Sequence, residues 1–138
     1  GRCALMRVYL DACVIIYLVE AQPPFHEKIL SALDGMCRED DSALLTSRLS
    51  LLECRVRAMR NKDTPLLQRY ADFFHPDQVY IHEIDAATIE RATELRVQYA
   101  YLAPDAIHIA TAIEANADVF LTGDLRLAQC REIVVRVL

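Results

Sequence analysis

Short apolar runs alternate along the chain with longer segments in which apolar residues recur every three or four positions. The apolar runs predict short buried strands at residues 7–10, 43–46, 79–84, 118–122 and 133–137. The periodic segments predict helices at residues 12–20, 25 to about 38, 48 to about 61, 64–74, 86–99 and 104–116. Because strands alternate with helices, we expect an α/β fold, a parallel sheet with helices on both faces.

The third predicted helix carries an apolar stripe beside charged residues. The stripe that we expect to face the core consists of Leu49, Leu52, Val56 and Met59. Glu53 falls on the edge of this stripe, and Ser47 precedes the helix as its predicted cap. Arg48 and Arg55, seven residues apart, share one face.

Length and composition indicate one domain that spans residues 6–138 of the 138-residue chain. We expect residues 1–5 to be a cloning remnant, with Met6 as the natural start. No run approaches the roughly 18 apolar residues of a membrane span, and the N-terminus lacks the order of a signal peptide. A net charge of −5 argues against a general nucleic-acid coating protein, although it does not exclude a nuclease.

The five cysteines are scattered and contain no C-x-x-C pair. This pattern predicts reduced thiols in a cytoplasmic protein rather than a zinc site or a disulfide framework. Cys13 and Cys54 lie beside acidic residues, and we expect both to pack in the core as small apolar groups.

Four acidic residues stand where a predicted strand gives way to a loop or a helix. They are Asp11, Glu53, Asp105 and Asp124. Since ligands of open parallel sheets bind at the carboxyl ends of the strands, distant segments can bring these acids together. Clustered carboxylates repel one another and imply a bound cation. An acidic set without a His/Cys group favours Mg²⁺ or Mn²⁺ over zinc, and two such ions can assist phosphoryl displacement.

Each acid, taken alone, could also have a purely structural role. Only the four acids together favour a cation site over these structural roles. Asp11 ends a strand, Glu53 lies at the edge of a stripe, and Asp105 suits the first turn of a helix. Asp124 in Thr-Gly-Asp is typical of a turn or a cap.

Several neighbouring residues are candidates for supporting roles. Thr122 and Ser47 offer hydroxyls that orient carboxylates or water, or that cap a turn or a helix. Arg48 and Arg55 either hold a phosphate backbone or form a solvated face. His108, one turn after Asp105, either reaches the site or is a structural histidine.

With these acidic residues and their flanking segments, the sequence resembles the PIN-domain ribonucleases, and specifically the VapC-like toxins of bacterial toxin–antitoxin pairs. The resemblance covers essentially residues 6–138 and is carried by four segments. They are residues 8–17, Thr46-Ser47 with Leu52-Glu53, residues 104–112, and residues 121–124. The last two segments are the most specific.

The resemblance implies a Mg²⁺- or Mn²⁺-dependent endoribonuclease, often a homodimer, that a cognate antitoxin inhibits. It places Asp11, Glu53, Asp105 and Asp124 at the acidic positions of the family and Thr122 at its small polar position. Many members carry Asn or Ser two residues after the first Asp, where this chain has Cys13.

We therefore expect a metal-dependent ribonuclease in which Asp11, Asp105 and Asp124 hold the cation and Glu53 is a ligand or orients water. Two alternatives stay open: a structure-specific DNase on the same fold, and a non-catalytic RNA-binding module. A receiver-like phospho-acceptor would need adjacent acids after the first strand and a late lysine, and the chain has neither.

Overall fold

The computed structural model describes residues 6–36 and 42–138. The strands of this part of the chain are β1 (Met6–Leu10), β2 (Ser42–Ser47), β3 (Tyr80–His82), β4 (Val119–Thr122) and β5 (Val134–Val137). The helices are α1 (Ala12–Val19), α2 (Phe25–Met36), α3 (Arg48–Arg60), α4 (Thr64–Phe73), α5 (Ala86–Tyr99) and α6 (Ala103–Glu114). A short 3-10 helix follows β4 at Leu125–Gln129.

These elements confirm the predicted α/β fold. All strand pairs are parallel, and the strand order is β3-β2-β1-β4-β5. The largest difference is β3, which covers only Tyr80–His82 of the predicted 79–84. The predicted end of the second helix and residues 1–5 lie outside the described residues. Among the described helices, none is long and apolar enough to cross a membrane.

Helices cover both faces of the sheet because successive strand residues point in opposite directions. Tyr9 of β1 faces a core that includes Leu95 of α5 and Ile109 of α6. Its neighbours Val8 and Leu10 belong to the opposite core, to which α1 to α4 contribute. Both faces of the central strand are therefore dry, and each fully buried large apolar side chain stabilises the fold by about 1.5–3 kcal/mol.

The apolar stripe predicted for α3 is wrong. Leu52, Val56 and Met59 are exposed, and Leu49 is only partly buried. The buried face consists of Ser50, Cys54 and Ala58. These smaller residues recur every fourth position, so one face of the helix packs closely against the neighbouring elements. The prediction, which was based on hydrophobicity alone, assigned the opposite face of α3 to the core.

The topology brings loops together at one edge of the sheet. From β1 the chain continues to β2 on one side, whereas β4 pairs with β1 on the other side. Ligands of open α/β sheets bind at such a switch point, outside the carboxyl ends of the strands. Asp11 directly follows β1, and Asp124 lies two residues beyond β4.

Candidate active site

Asp11 lies just beyond the central strand with both carboxylate oxygens engaged. Its backbone N–H donates to the carbonyl of Leu121 at 3.0 Å, which ties it to β4. Oδ1 accepts from the backbone N–H of Ala12 at 2.8 Å, so the side chain caps α1. Oδ2 accepts from the Thr122 hydroxyl at 2.7 Å. With 8% exposure and these donors, the Asp11 carboxylate has a defined orientation at the edge of the sheet.

Arg126 connects two of the other acids. Its Nη2 lies 2.5 Å from Oδ2 of Asp124 and 3.7 Å from Oδ2 of Asp105. Asp124 also accepts from the backbone N–H of Arg126 at 2.9 Å, so it caps the 3-10 helix. Arg126 was not among the residues predicted from the sequence. The feature that could have indicated it is a basic residue two positions after a capping acid.

The pKa values of Asp105 and Asp124 move in opposite directions. Burial, followed by the negative charge of Asp11, raises the pKa of Asp105, although Arg126 opposes the change. Hydrogen bonding from Arg126 lowers the pKa of Asp124. Asp105 therefore lies near other carboxylates and is only partly compensated, which is what a binding site for an additional cation requires.

His108 connects Glu53 with Asp11. Its Nε2 is hydrogen bonded to Oε1 of Glu53 and lies 3.8 Å from Oδ1 of Asp11. Its Nδ1 lies 2.7 Å from the hydroxyl of Tyr9. His108 was predicted either to reach the site or to be structural, and it is both buried and in contact with a candidate acid. Tyr9 was not predicted from the sequence as a site residue. The feature that could have indicated it is a hydroxyl group in an otherwise apolar strand.

The four predicted acids thus share a region at the carboxyl edge of the sheet, linked by Thr122, Arg126 and His108. The family model of the PIN domain matches residues 8–133. The chain belongs to the PIN-domain family. No curated protein sequence matches it significantly.

Solved structures of low sequence identity share the fold of this PIN domain. VapBC2 from Rickettsia felis, bound to a promoter DNA fragment, aligns with a TM-score of 0.75 and 16% identity over 95% of this chain and 98% of the other. A toxin–antitoxin complex from Klebsiella pneumoniae has a TM-score of 0.70 and 23% identity over 92% and 95%. VapC20 from Mycobacterium tuberculosis, described as a sarcin–ricin loop cleaving toxin, has a TM-score of 0.66 and 19% identity over 92% and 98%.

Ser47 of this PIN domain does not cap α3 as predicted. It occupies the N-cap position, but its side chain makes no capping hydrogen bond. Within the described residues its hydroxyl is buried and meets no hydrogen-bond partner. A buried hydroxyl without a hydrogen-bond partner is energetically costly.

The two thiols near the acids are protonated packing groups. Burial raises the pKa of Cys13 to about 11 and that of Cys54 to about 12, and nearby acids add to the effect. Cys13 Sγ lies 3.8 Å from Oδ2 of Asp11, where it is a weak donor. Thr122 donates to the same oxygen, so Asp11 keeps a strong donor despite the departure at Cys13.

The two predicted phosphate-binding arginines have protein partners. Arg48 pairs with Glu83, and its side chain is 55% exposed. Arg55 donates from Nε to the carbonyl of Leu51 at 2.9 Å. An exposed ion pair of this kind is weak, so Arg48 can exchange Glu83 for another anion.

The donor set of this PIN domain fits a hard cation. Among residues 6–36 and 42–138, no three His, Cys, Asp or Glu side chains lie close enough together to cage a metal ion. Mg²⁺ needs no such cage, because it retains several waters and binds through one or two carboxylates. The partly compensated Asp105 and the oriented Asp11 supply carboxylate oxygens of the required kind.

Proposed function

We propose that this PIN domain is a Mg²⁺- or Mn²⁺-dependent endoribonuclease and the toxin of a toxin–antitoxin pair. The observation that carries the proposal is the connected set of acids at the carboxyl edge of the sheet. His108 lies between Glu53 and Asp11, and Arg126 lies between Asp105 and Asp124. Such a set suits cation-assisted hydrolysis of a phosphodiester better than catalysis by two histidines.

Each acid has a proposed role. Asp11, Asp105 and Asp124 hold the cation, and Glu53 is a further ligand or orients the attacking water. The cation would supply Lewis acidity, which eases the formation of hydroxide and stabilises charge on the phosphate. The protein contributes oriented carboxylates at a partly buried edge, so little reorganisation is needed when the phosphate arrives.

Other residues have supporting roles. Thr122 orients Asp11 through its hydroxyl, and the unpaired hydroxyl of Ser47 is suited to hold a water near the site. Arg48 and Arg55 bind the phosphate backbone of the substrate, for which the exposed position of Arg48 offers support.

The substrate and the partner are proposed from the family resemblance, and the structural neighbours add support. VapC20 is described as a sarcin–ricin loop cleaving toxin, which is consistent with RNA as the substrate class. Two other neighbours are VapBC2 and a toxin–antitoxin complex, which is consistent with a protein antitoxin as the partner. A homodimer is the assembly that the family resemblance implies.

The test is cleavage of matched single-stranded RNA and DNA oligonucleotides by the wild type and by Asp124→Asn, with Mg²⁺ or with EDTA. The wild type should cut RNA only with the cation, and Asp124→Asn should not cut it. Asn retains an acceptor for the cap of the 3-10 helix, so the fold is preserved. Asp72→Asn, an exposed change on α4, is the matched control and should remain active.

The chemical ends of the RNA fragments show whether water or the ribose 2′-hydroxyl attacks the phosphorus. Attack by water, with the 3′ oxygen leaving, yields 5′-phosphate and 3′-hydroxyl ends. Mass spectrometry that found 2′,3′-cyclic phosphate ends would contradict this mechanism. Cleavage of DNA alone would establish the DNase alternative, and RNA binding without cleavage would establish the non-catalytic module.

A further inference from the structure

A buried row of three polar side chains runs from the central strand to the candidate site. The hydroxyl of Tyr9 meets Nδ1 of His108 at 2.7 Å, and Nε2 of His108 meets Oε1 of Glu53. Tyr9 is fully buried and His108 is 2% exposed, whereas the Glu53 side chain is 33% exposed. The row thus begins in the dry core and ends at the edge where the acids lie.

The position of each proton follows from the chemistry of these partners. The Tyr9 hydroxyl is fully buried and lies 2.7 Å from Nδ1, and a phenol carries its proton near neutral pH, so it can donate. If Tyr9 donates to Nδ1, the ring proton resides on Nε2, which then donates to Glu53. The other neutral tautomer would direct a lone pair of Nε2 at the carboxylates of Glu53 and Asp11, which is repulsive.

We propose that Tyr9 and His108 are positioning residues for Glu53, in which the Tyr9 hydroxyl sets the tautomer of His108 and its Nε2–H holds Oε1 of Glu53. This inference rests on the cation-dependent activity proposed above. Glu53 comes from the middle of α3 and has several rotatable bonds, so a fixed donor at Oε1 restricts its carboxylate to one orientation.

The same N–H has a second effect. It also lies near Asp11, whose Oδ1 is 3.8 Å from Nε2. A donor located near two carboxylates reduces their mutual repulsion before a cation binds. Tyr9 packs against Phe120 with ring centroids 5.2 Å apart, so the start of the row is anchored in the sheet.

Two substitutions at the same buried position separate positioning from simple packing. In His108→Gln the side-chain amide nitrogen reaches about as far as Nε2 and can still donate to Glu53. In His108→Asn the shorter amide occupies the place of Nδ1 and cannot reach Glu53. Tyr9→Phe removes one oxygen, and Tyr70→Phe is its control, because Tyr70 is also buried and donates to Glu20 at 2.5 Å.

The first measurement is ¹H–¹⁵N NMR of the imidazole in metal-free protein. The wild type should show a protonated Nε2 and an unprotonated Nδ1, and Tyr9→Phe should alter this signature. The second is Mn²⁺ affinity, followed by electron paramagnetic resonance. His108→Asn and Tyr9→Phe should bind Mn²⁺ about 10- to 100-fold more weakly, as is usual when a residue that orients a ligand is lost. His108→Gln should recover most of the affinity, and Tyr70→Phe should match the wild type.

An unprotonated Nε2 or a protonated Nδ1 in the wild type, or equal Mn²⁺ affinities for wild type, His108→Asn and Tyr9→Phe, would overturn the inference. Failure of the proposed function is distinguishable, because a wild type that neither binds Mn²⁺ nor cuts RNA refutes that function directly. The NMR signature needs neither activity nor metal, so it still decides whether Tyr9 sets the tautomer of His108.

Discussion

The hydroxyl of Thr122 donates a 2.7 Å hydrogen bond to Oδ2 of Asp11, and this bond joins the ends of two neighbouring strands. The same hydroxyl accepts from the backbone N–H of Asp124 at 3.1 Å. One fully buried group therefore contacts two of the candidate acids, although 111 positions of sequence separate it from Asp11. Its removal should affect both the fold and the site.

Thr122→Val keeps the shape of the side chain and removes the hydroxyl. We expect it to lower the free energy of unfolding by about 1–3 kcal/mol, because a buried carboxylate loses a donor. Cleavage should fall about 10- to 100-fold. Thr122→Ser retains the hydroxyl and should restore most of both properties. Denaturant unfolding and cleavage rates measure these effects, and equal losses in the two variants would show that the hydroxyl is unimportant.

Asp105→Asn should abolish cleavage while leaving metal-free protein as stable as the wild type or more stable. Burial and neighbouring acids raise the pKa of Asp105, so its charge destabilises the folded state at any pH above that raised value. The difference in melting temperature should therefore shrink as the pH falls through that pKa. Melting in EDTA measures it, with exposed Asp34→Asn as control. If the Asp105→Asn variant still cleaved RNA at a rate within about 100-fold of the wild type, Asp105 would not be an essential residue of the active site.

Mn²⁺ or Mg²⁺ should raise the melting temperature of the wild type. A cation that binds only the folded state at 100 times its Kd adds about 2.7 kcal/mol to the free energy of unfolding. Asp11→Asn should lose this gain, since it removes charge from the most buried of the four acids. Thermal melts over a range of cation concentrations provide the measurement, and equal gains in both proteins would mean that Asp11 does not bind the cation.

Arg126→Gln should tighten cation binding. Arg126 compensates Asp124 and approaches Asp105, so it competes with a cation for the same oxygens. Because the Arg126 side chain is 65% exposed, we expect a gain of only about two- to fivefold in affinity for Mn²⁺. Titration of metal-free protein measures the change, and exposed Arg69→Gln on α4 serves as the control. Weaker binding in Arg126→Gln would refute the competition.

Arg48→Ala combined with Arg55→Ala should weaken RNA binding and reduce its dependence on salt. Each phosphate contact that is lost should lower the log–log slope by roughly 0.7 for single strands. Binding at several salt concentrations gives the slope, measured with inactive Asp105→Asn as background so that the RNA stays intact. An unchanged slope would mean that these arginines do not contact RNA and belong to a solvated charged face, where Arg48 pairs with Glu83.

The order and type of the elements followed from local patterns. The apolar runs became parallel strands, and the periodic segments became helices, because alternation and periodicity reflect how successive side chains are directed along a strand or a helix. The positions of Asp11 and Asp124 relative to β1 and β4 were equally local, since each acid lies within two residues of its strand. The parallel order of the strands then implied that these acids meet at one edge.

Tertiary packing alone decided the rest. Which face of α3 is buried depends on its neighbours, and close approach selected Ser50, Cys54 and Ala58 over larger apolar residues. The contact between Glu53 and His108 joins two helices 55 positions apart, and no local period carries information about it. A pattern within a segment reports how its own backbone repeats, whereas a hydrogen bond between segments depends on the distance and angle at which the folded chain brings them together.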